Sequence, residues 1–131
     1  MTQDPPDTAG TISVVLVDDH DLFRAGLRDT LEDQGLNVVG EAPDGERGVE
    51  LVAELAPDVA VMDLNMPGMD GVEATRQISE RVPSTRVVML TIVSDEDTIS
   101  NAMDAGASGY MLKDAAVEEL VAGIRAAAAR G

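Results

Sequence analysis

The 131-residue sequence predicts a doubly wound α/β domain with a five-stranded parallel sheet in the order 2-1-3-4-5. Short aliphatic and β-branched runs alternate with amphipathic segments of roughly 10 to 15 residues, which is the pattern of repeated βαβ units. The first run is mainly β-branched and aliphatic, as expected for a strand buried on both faces of a sheet. Since the sequence contains no internal repeat and has the length of one domain, we predict five strands and five helices in a single unit.

Each predicted strand is bounded by polar or turn-forming residues at which the strand ends. The first run ends at two aspartates, and the second is the weakest because it contains Gly40 and Glu41. The third and fourth are nearly all aliphatic and end in Asp63 and Thr91. The five strands are predicted at residues 12–17, 37–42, 58–63, 85–91 and 109–112.

The helices are predicted from apolar spacing and from their start and stop signals. The first covers 21–34, where Leu22 and three further apolar residues recur at intervals of three to five, and Gly35 follows as a C-terminal glycine. Asp44 is suited to cap the second helix, which stops near Pro57. The third helix runs to about residue 82 and is closed by Pro83.

The two C-terminal helices have the clearest apolar stripes. The fourth helix is predicted at 95–105, with Ile99, Ala102 and Met103 on one stripe. The fifth has apolar residues at i, i+3, i+4 and i+7, as an amphipathic helix on a sheet requires. These residues are Val117, Leu120, Val121 and Ile124.

Composition and charge exclude several classes of function. Nine Lys and Arg residues stand against 25 Asp and Glu, so the formal net charge is −16. Nucleic acids and anionic membranes would repel such a domain, so we expect it to bind neither directly. Cysteine is absent, which excludes disulfides and thiolate chemistry. No signal peptide or membrane-spanning segment is recognised, so a cytoplasmic location is expected.

The chain is expected to hold one folded domain at 11–131, preceded by a disordered acidic lead-in at 1–10. No second domain is expected within these 131 residues.

Polar side chains follow the ends of the predicted strands, where open α/β sheets bind their ligands. Asp18 and Asp19 follow the first strand, and Asp63, Thr91 and Lys113 end or follow the third, fourth and fifth. In the predicted strand order the three carboxylates converge. Two unit charges about 4 Å apart repel by about 4 kcal/mol at an effective dielectric of 20, so either some of these acids stay protonated or a cation lies among them. An oxygen-preferring ion such as Mg²⁺ fits best.

Four motifs carry a resemblance to a known family. They are VDDH at 17–20, MDLNMPGMDG at 62–71, LT at 90–91 and GYMLK at 109–113. In this combination the chain resembles a receiver domain of a two-component response regulator, with the flavodoxin-like receiver fold. The segments 19–27 and 113–115 resemble the NarL/FixJ branch, whose members usually continue into a LuxR-type helix-turn-helix domain. That output domain is absent from this chain.

The resemblance implies a role for each residue of the site. Asp63 would accept the phosphoryl group. Asp19 and Asp63 would hold Mg²⁺ directly, Asp18 would act through water, and the backbone carbonyl of Asn65 would supply a further oxygen. The ammonium of Lys113 would offset charge on the phosphoryl oxygens.

The resemblance also implies a switch and a set of partners. Thr91 would hydrogen-bond the new phosphoryl oxygen, and Tyr110 would swing into the space that Thr91 leaves, rebuilding the surface of helix four, strand five and helix five. The phosphate would come from a cognate histidine kinase. Phosphorylation would favour a homodimer, and DNA would be bound only through an output domain, for regulation of transcription.

Three positions modify this interpretation. Many receivers have proline where this chain has Asp114, so the Lys113–Asp114 bond is not assigned as cis or trans. Val93 occupies a position near the hydrolytic water of receivers, where an apolar side chain cannot orient water, so slow autodephosphorylation is expected. His20, the only histidine, is interpreted mainly as the residue that starts the first helix.

Alternative functions remain open at this stage. A phosphohydrolase of the haloacid dehalogenase type would need an acid where this chain has Asn65. A flavin mononucleotide carrier would need a phosphate-binding loop where Asp18 and Asp19 stand. The remaining alternative is a stand-alone or phosphorylation-independent receiver-like module that only binds other proteins.

Overall fold

A computed structural model describes residues 11–92 and 95–129 of the chain. The predicted lead-in at 1–10 and the predicted role of Val93 therefore lie outside the described residues. The strands are β1 (Ser13–Val17), β2 (Asn37–Ala42), β3 (Val59–Asp63), β4 (Arg86–Thr91) and β5 (Gly109–Leu112). The helices are α1 (Asp21–Asp33), α2 (Gly45–Leu55), α3 (Gly71–Arg81), α4 (Glu96–Asp104) and α5 (Val117–Ala129).

The strands form one parallel sheet in the order β2-β1-β3-β4-β5, which confirms the predicted fold class. Because β1 and β3 are neighbours in this order, the aspartates that follow or end them leave the sheet side by side. In the register between β3 and β4, Asp63 lies opposite Leu90, so Thr91 lies one residue further along the same edge.

Helices cover both faces of the sheet and divide the core into two layers. Along β1, Val15 and Val17 face the layer of α2 and α3, whereas Val14 and Leu16 face the layer of α1 and α5. This alternation follows from the two-residue period of a strand. All four side chains are at most 1% exposed. The central strands β1, β3 and β4 are therefore buried on both faces, whereas the edge strands β2 and β5 are only partly buried.

Aspartates start three of the helices. The side chains of Asp44, Asp70 and Asp95 accept hydrogen bonds from backbone N–H groups three residues later, at the starts of α2, α3 and α4. These bonds satisfy donors that have no partner within the helix, and a carboxylate there also favours the helix dipole. The cap predicted at Asp44 is confirmed. At the other end of α1, Gly35 has the positive φ (91°) of a residue that follows a helix.

Three predicted stripe residues are exposed, and one of them is Val117 at the start of α5, which is 37% exposed. Leu22 is 91% exposed and Met103 is 42% exposed. At 100° per residue, Leu22 lies about 140° around α1 from the buried Leu27, and Met103 lies about 100° around α4 from the buried Ala102. Spacing alone had placed these residues on stripes that are wider than the buried faces.

Three strands, β1, β3 and β4, begin one residue later than predicted, and polar contacts close the sheet at this edge beside β1 and β3. Asp58, predicted as the first residue of the third strand, precedes β3. Its carboxylate accepts hydrogen bonds from the backbone N–H and the hydroxyl of Ser13, and its own N–H donates to that hydroxyl.

Within the described residues, no helix is long and apolar enough to cross a membrane.

We predict that Gly71→Ala destabilises the fold. A Cβ at this position would overlap the carbonyl oxygen of Asp63 and approach the Cα of Leu64 to 2.8 Å, and neither backbone atom can rotate away. We expect the free energy of unfolding to fall by about 1–3 kcal/mol in urea titrations.

Gly26→Ala is the matched control, because a Cβ there meets nothing within 4 Å and the residue lies inside α1. Alanine in a helix interior stabilises by up to about 1 kcal/mol relative to glycine. Equal effects of the two substitutions would contradict the close approach of α3 to the end of β3.

Candidate functional site

The site lies at the carboxyl edge of the sheet, where two buried aspartates meet a lysine. Asp18 follows β1 and Asp63 ends β3, and both residues are less than 5% exposed. Lys113 follows β5, and its Nζ lies 2.9 Å from Oδ2 of Asp18 and 3.4 Å from Oδ1 of Asp63. The structure therefore brings together three residues that are separated widely in the sequence but were predicted to converge.

Four residues offer ligand atoms that lie within 4.8 Å of one another, and they are Asp18, Asp19, His20 and Asp63. Oδ2 of Asp63 and Oδ1 of Asp19 are buried and have no hydrogen-bond partner among the described residues. Buried carboxylate oxygens without donors are costly, and a divalent cation satisfies them. The residues present thus fit a metal ion with a preference for oxygen.

The surroundings of Asp63 make its carboxylate unusually basic. Burial is the largest cause, and repulsion from Asp18 adds to it, whereas Lys113 acts in the opposite direction. Together they raise the pKa of Asp63 from 3.8 to about 6. One ammonium group therefore does not offset two buried carboxylates, which again favours a further cation in the site.

Lys113 is held in place by its surroundings. Its side chain is 12% exposed, and Nζ lies 4.8 Å from the centre of the Phe23 ring. A cation over an aromatic face is attracted to it. Phe23 belongs to α1 and was interpreted from the sequence only as a core residue. Nothing in the sequence pattern shows that its ring also faces the lysine.

Arg24 is a second residue whose place in the site was missed. Its guanidinium donates to the backbone carbonyl of Asp18 and to Oε1 of Glu41, and it pairs with Asp21 at 3.0 Å. With its side chain only 15% exposed, Arg24 ties the β1–α1 loop to β2. Arg28 also binds Glu41, at 2.7 Å, but is more exposed. The one indication of this contact in the sequence is that Arg24, in the first predicted helix, is followed by Glu41 in the second predicted strand.

The other predicted residues lie where the topology requires. Thr91 is buried at the end of β4, and its carbonyl accepts the backbone N–H of Lys113 at 2.8 Å. The N–H of Asn65 donates to Oδ1 of Asp63 at 3.4 Å. Tyr110, in β5, is 44% exposed. The structure contains no cis peptide among the described residues, so the Lys113–Asp114 bond is trans.

Fold and site together define a class of protein: a parallel α/β domain with an acidic, lysine-closed pocket at the carboxyl edge of its sheet. The sequence profile of the response regulator receiver domain matches residues 14–125. This chain belongs to that family, and the resemblance seen in its motifs is confirmed.

Relatives narrow the class to the NarL/FixJ branch. The chain is 46% identical over 117 residues to the transcriptional regulatory protein LiaR of Bacillus subtilis (strain 168), covering 88% of this chain and 56% of LiaR. It is 47% identical over 115 residues to the response regulator UvrY of Escherichia coli (strain K12), covering 87% and 53%. The chain therefore spans about half the length of these relatives.

Solved structures agree with this assignment. The receiver domain of the response regulator NarL from Mycobacterium tuberculosis superposes with a TM-score of 0.87 at 37% identity, covering 91% of this chain and 97% of that domain. A LuxR-family response regulator from Aurantimonas sp. SI85-9A1 gives 0.87 at 40% identity, covering 92% and 86%. The chain is thus a receiver domain of the type found in two-component transcriptional regulators.

We predict that, without metal, Asp63→Asn is more favourable to stability at pH 7.5 than at pH 4. Because the folded pKa of Asp63 lies above its ordinary value, the native state binds more protons than the unfolded state between about pH 4 and 6, so stability falls as the pH rises. Asparagine removes this loss, which two pKa units put at up to about 3 kcal/mol.

Urea unfolding in EDTA at both pH values measures the effect. Asp104→Asn, which removes an exposed charge on α4, is the control and should show no comparable difference. If the stability of Asp63→Asn relative to the unsubstituted protein is the same at pH 4 and pH 7.5, the pKa of Asp63 is not raised.

We predict that Arg24→Lys weakens Mg²⁺ binding about tenfold. A lysine ammonium cannot bond the Asp18 carbonyl and Glu41 with the fixed fork of a guanidinium, and loss of such supporting contacts typically lowers metal affinity 10- to 100-fold. Arg28→Lys is the matched control, since Arg28 also binds Glu41 but, among the described residues, makes no hydrogen bond to Asp18. Calorimetric titration with MgCl₂ measures both, and equal affinities in the two variants would contradict a positioning role for Arg24.

Proposed function

We propose that this chain is a phospho-acceptor switch, in which Asp63 takes a phosphoryl group from a histidine kinase in a Mg²⁺-dependent reaction. The observation that carries the proposal is the buried carboxylate of Asp63, which faces Lys113 at 3.4 Å beside two further aspartates. Its place in the receiver family supports the same conclusion.

The reaction is a transfer between two nucleophiles. A carboxylate oxygen of Asp63 attacks the phosphorus of a phosphohistidine or of a small acyl phosphate, and a P–O bond forms as the P–N or P–O bond of the donor breaks. The leaving imidazole or carboxylate keeps the electron pair. Such transfers depend on positioning and on charge stabilisation. Lys113, held by Phe23 and Asp18, supplies a fixed positive charge beside the acceptor.

The metal ligands are assigned within the acidic cluster. Asp19 and Asp63 would bind Mg²⁺ directly, Asp18 through a water molecule, and the carbonyl of Asn65 would complete the set from the chain. The bound ion would neutralise charge on the phosphoryl oxygens. The unpartnered oxygens of Asp19 and Asp63 support this assignment, as does the repulsion between Asp18 and Asp63.

The phosphorylated state would be sensed by Thr91 and Tyr110. Thr91 ends the strand next to β3, so its hydroxyl is suited to hydrogen-bond the new phosphoryl oxygen and draw the loop after β4 inward. Tyr110 would then move towards the space that Thr91 leaves. Ile92 after β4, Met103 in α4 and Tyr110 in β5 are exposed by 77%, 42% and 44%, so the elements that this change would rebuild carry exposed apolar side chains.

The proposed partners follow from that surface and from the relatives. They are a cognate histidine kinase, a second copy of the chain after phosphorylation, and an output domain through which DNA would be bound. The chain matches only about half of LiaR and UvrY, which leaves room in those proteins for such a domain. We propose that the receiver unit covers residues 11–131 and that it is located in the cytoplasm. Slow loss of the phosphoryl group from Asp63, expected because Val93 is apolar, remains a prediction from the sequence.

We predict that acetyl phosphate and Mg²⁺ add one phosphoryl group to the chain, about 80 Da by intact mass, because the acceptor and the lysine are already in place. Asp63→Asn should show no adduct, since an amide oxygen cannot form the acyl phosphate, and EDTA should suppress it. Asp58→Asn, at the opposite edge of the sheet, is the matched control and should be phosphorylated normally.

An adduct that persists in Asp63→Asn would place the acceptor elsewhere. If no adduct forms with acetyl phosphate, with a phosphorylated histidine kinase, or as a beryllofluoride complex, the phosphorylation-independent binding module becomes the better description.

A further inference from the structure

His20 is turned into the acidic site although its position at the start of α1 would allow it to cap the helix. It is the N-cap residue of α1, but its side chain makes no capping hydrogen bond. Instead its Nδ1 lies 3.2 Å from Oδ1 of Asp18 and 3.5 Å from Oδ1 of Asp19. The backbone N–H of His20 donates to Asp18 Oδ1 at 2.8 Å, which fixes the residue above the site.

The ring nitrogen faces groups with opposite demands. Two carboxylate oxygens can only accept a hydrogen bond, whereas Nζ of Lys113, 3.4 Å from the same Nδ1, can only donate one. A hydrogen on Nδ1 suits the carboxylates and opposes the lysine, and a lone pair does the reverse. A divalent cation among these atoms would bind the carboxylate oxygens and the nitrogen lone pair together.

Among the described residues, Lys113 leaves a buried carboxylate oxygen of the cluster without a donor. It approaches Oδ2 of Asp18 and Oδ1 of Asp63, so Oδ2 of Asp63 remains without a hydrogen-bond partner, in a residue only 3% exposed. This buried oxygen is an observation independent of the histidine, and both point to a cation held by oxygen and nitrogen.

We propose that Nδ1 of His20 is an additional metal ligand that makes this site select imidazole-binding divalent ions, of the Mn²⁺ and Zn²⁺ class, more strongly than carboxylates alone would. The proposal rests on the metal site of the proposed function and adds its selectivity. Mg²⁺ prefers oxygen ligands and retains water, so it gains little from the ring, whereas imidazole is a good ligand for transition ions.

Pulsed electron paramagnetic resonance of the Mn²⁺-loaded chain tests the direct bond. The experiment needs protein without a histidine tag, because His20 is then the only imidazole present. We expect nuclear modulation from a bound ring nitrogen, which changes to the ¹⁵N pattern when the histidine is ¹⁵N-labelled. A spectrum that does not respond to the label overturns the proposal without any variant.

Selectivity is measured by calorimetric titration with Mg²⁺, Mn²⁺ and Zn²⁺. His20→Asn should weaken Mn²⁺ and Zn²⁺ binding about tenfold or more and change Mg²⁺ binding less than twofold. Asp33→Asn, which removes an exposed acid at the end of α1 that is not part of the cluster, should leave all three affinities unchanged. Equal weakening of the three ions in His20→Asn overturns the proposal, since it would indicate a general effect on the loop.

The two levels of inference fail differently. If Mg²⁺-dependent phosphorylation of Asp63 is observed but the nitrogen signal is absent, only the role of His20 is wrong. If neither Mg²⁺ nor Mn²⁺ binds and Asp63 is not phosphorylated, the proposed function fails and this inference fails with it.

Discussion

The contact between Lys113 and the two buried carboxylates of Asp18 and Asp63 is the interaction on which the arrangement of the site depends. Burying two like charges at neighbouring strand ends is unfavourable, and the raised pKa of Asp63 reports that the lysine offsets only part of the cost. The site is therefore prepared for more positive charge. Such preparation suits the proposed function, in which a cation and then a phosphoryl group would bind at one place.

The sheet supplies the rigid frame for this contact. β1 and β3 are neighbours with almost fully buried side chains, so the acids at their ends cannot move apart to relieve their repulsion. Gly71 brings the start of α3 against the carbonyl of Asp63, and Arg24 holds the loop after β1 to β2. Gly71 and Arg24 place no charge inside the pocket, but they fix the distances between the charged groups that line it.

In contrast to the buried and rigid site, the surface around β5 exposes apolar side chains. Tyr110 in β5, Ile92 after β4 and Met103 in α4 expose apolar area, whereas the residues at the ends of β1, β3 and β4 are buried. A rigid site beside a surface with exposed apolar side chains suits a domain whose local charge change is read by another protein. The strongly negative chain also restricts its partners, because its net charge of −16 opposes direct contact with nucleic acid.

The sequence by itself determined the fold class, the strand order and five residues of the site, because aliphatic runs and the polar residues that end them depend on local pattern and on the general rules of parallel sheets. It also identified the family from four motifs. Only the tertiary structure decided which helix residues are buried, as Leu22 and Met103 show, since helical spacing does not define how wide a buried face is.

The supporting contacts of the site were likewise decided by tertiary structure. Phe23, whose ring centre lies 4.8 Å from Nζ of Lys113, is 90 residues away from it in sequence, and Arg24 in α1 hydrogen-bonds Glu41 in β2. The side chain of His20 turns towards the carboxylates although its position at the helix start suggests a cap. Such contacts depend on where separate elements pack and which way side chains turn, and a single sequence records neither.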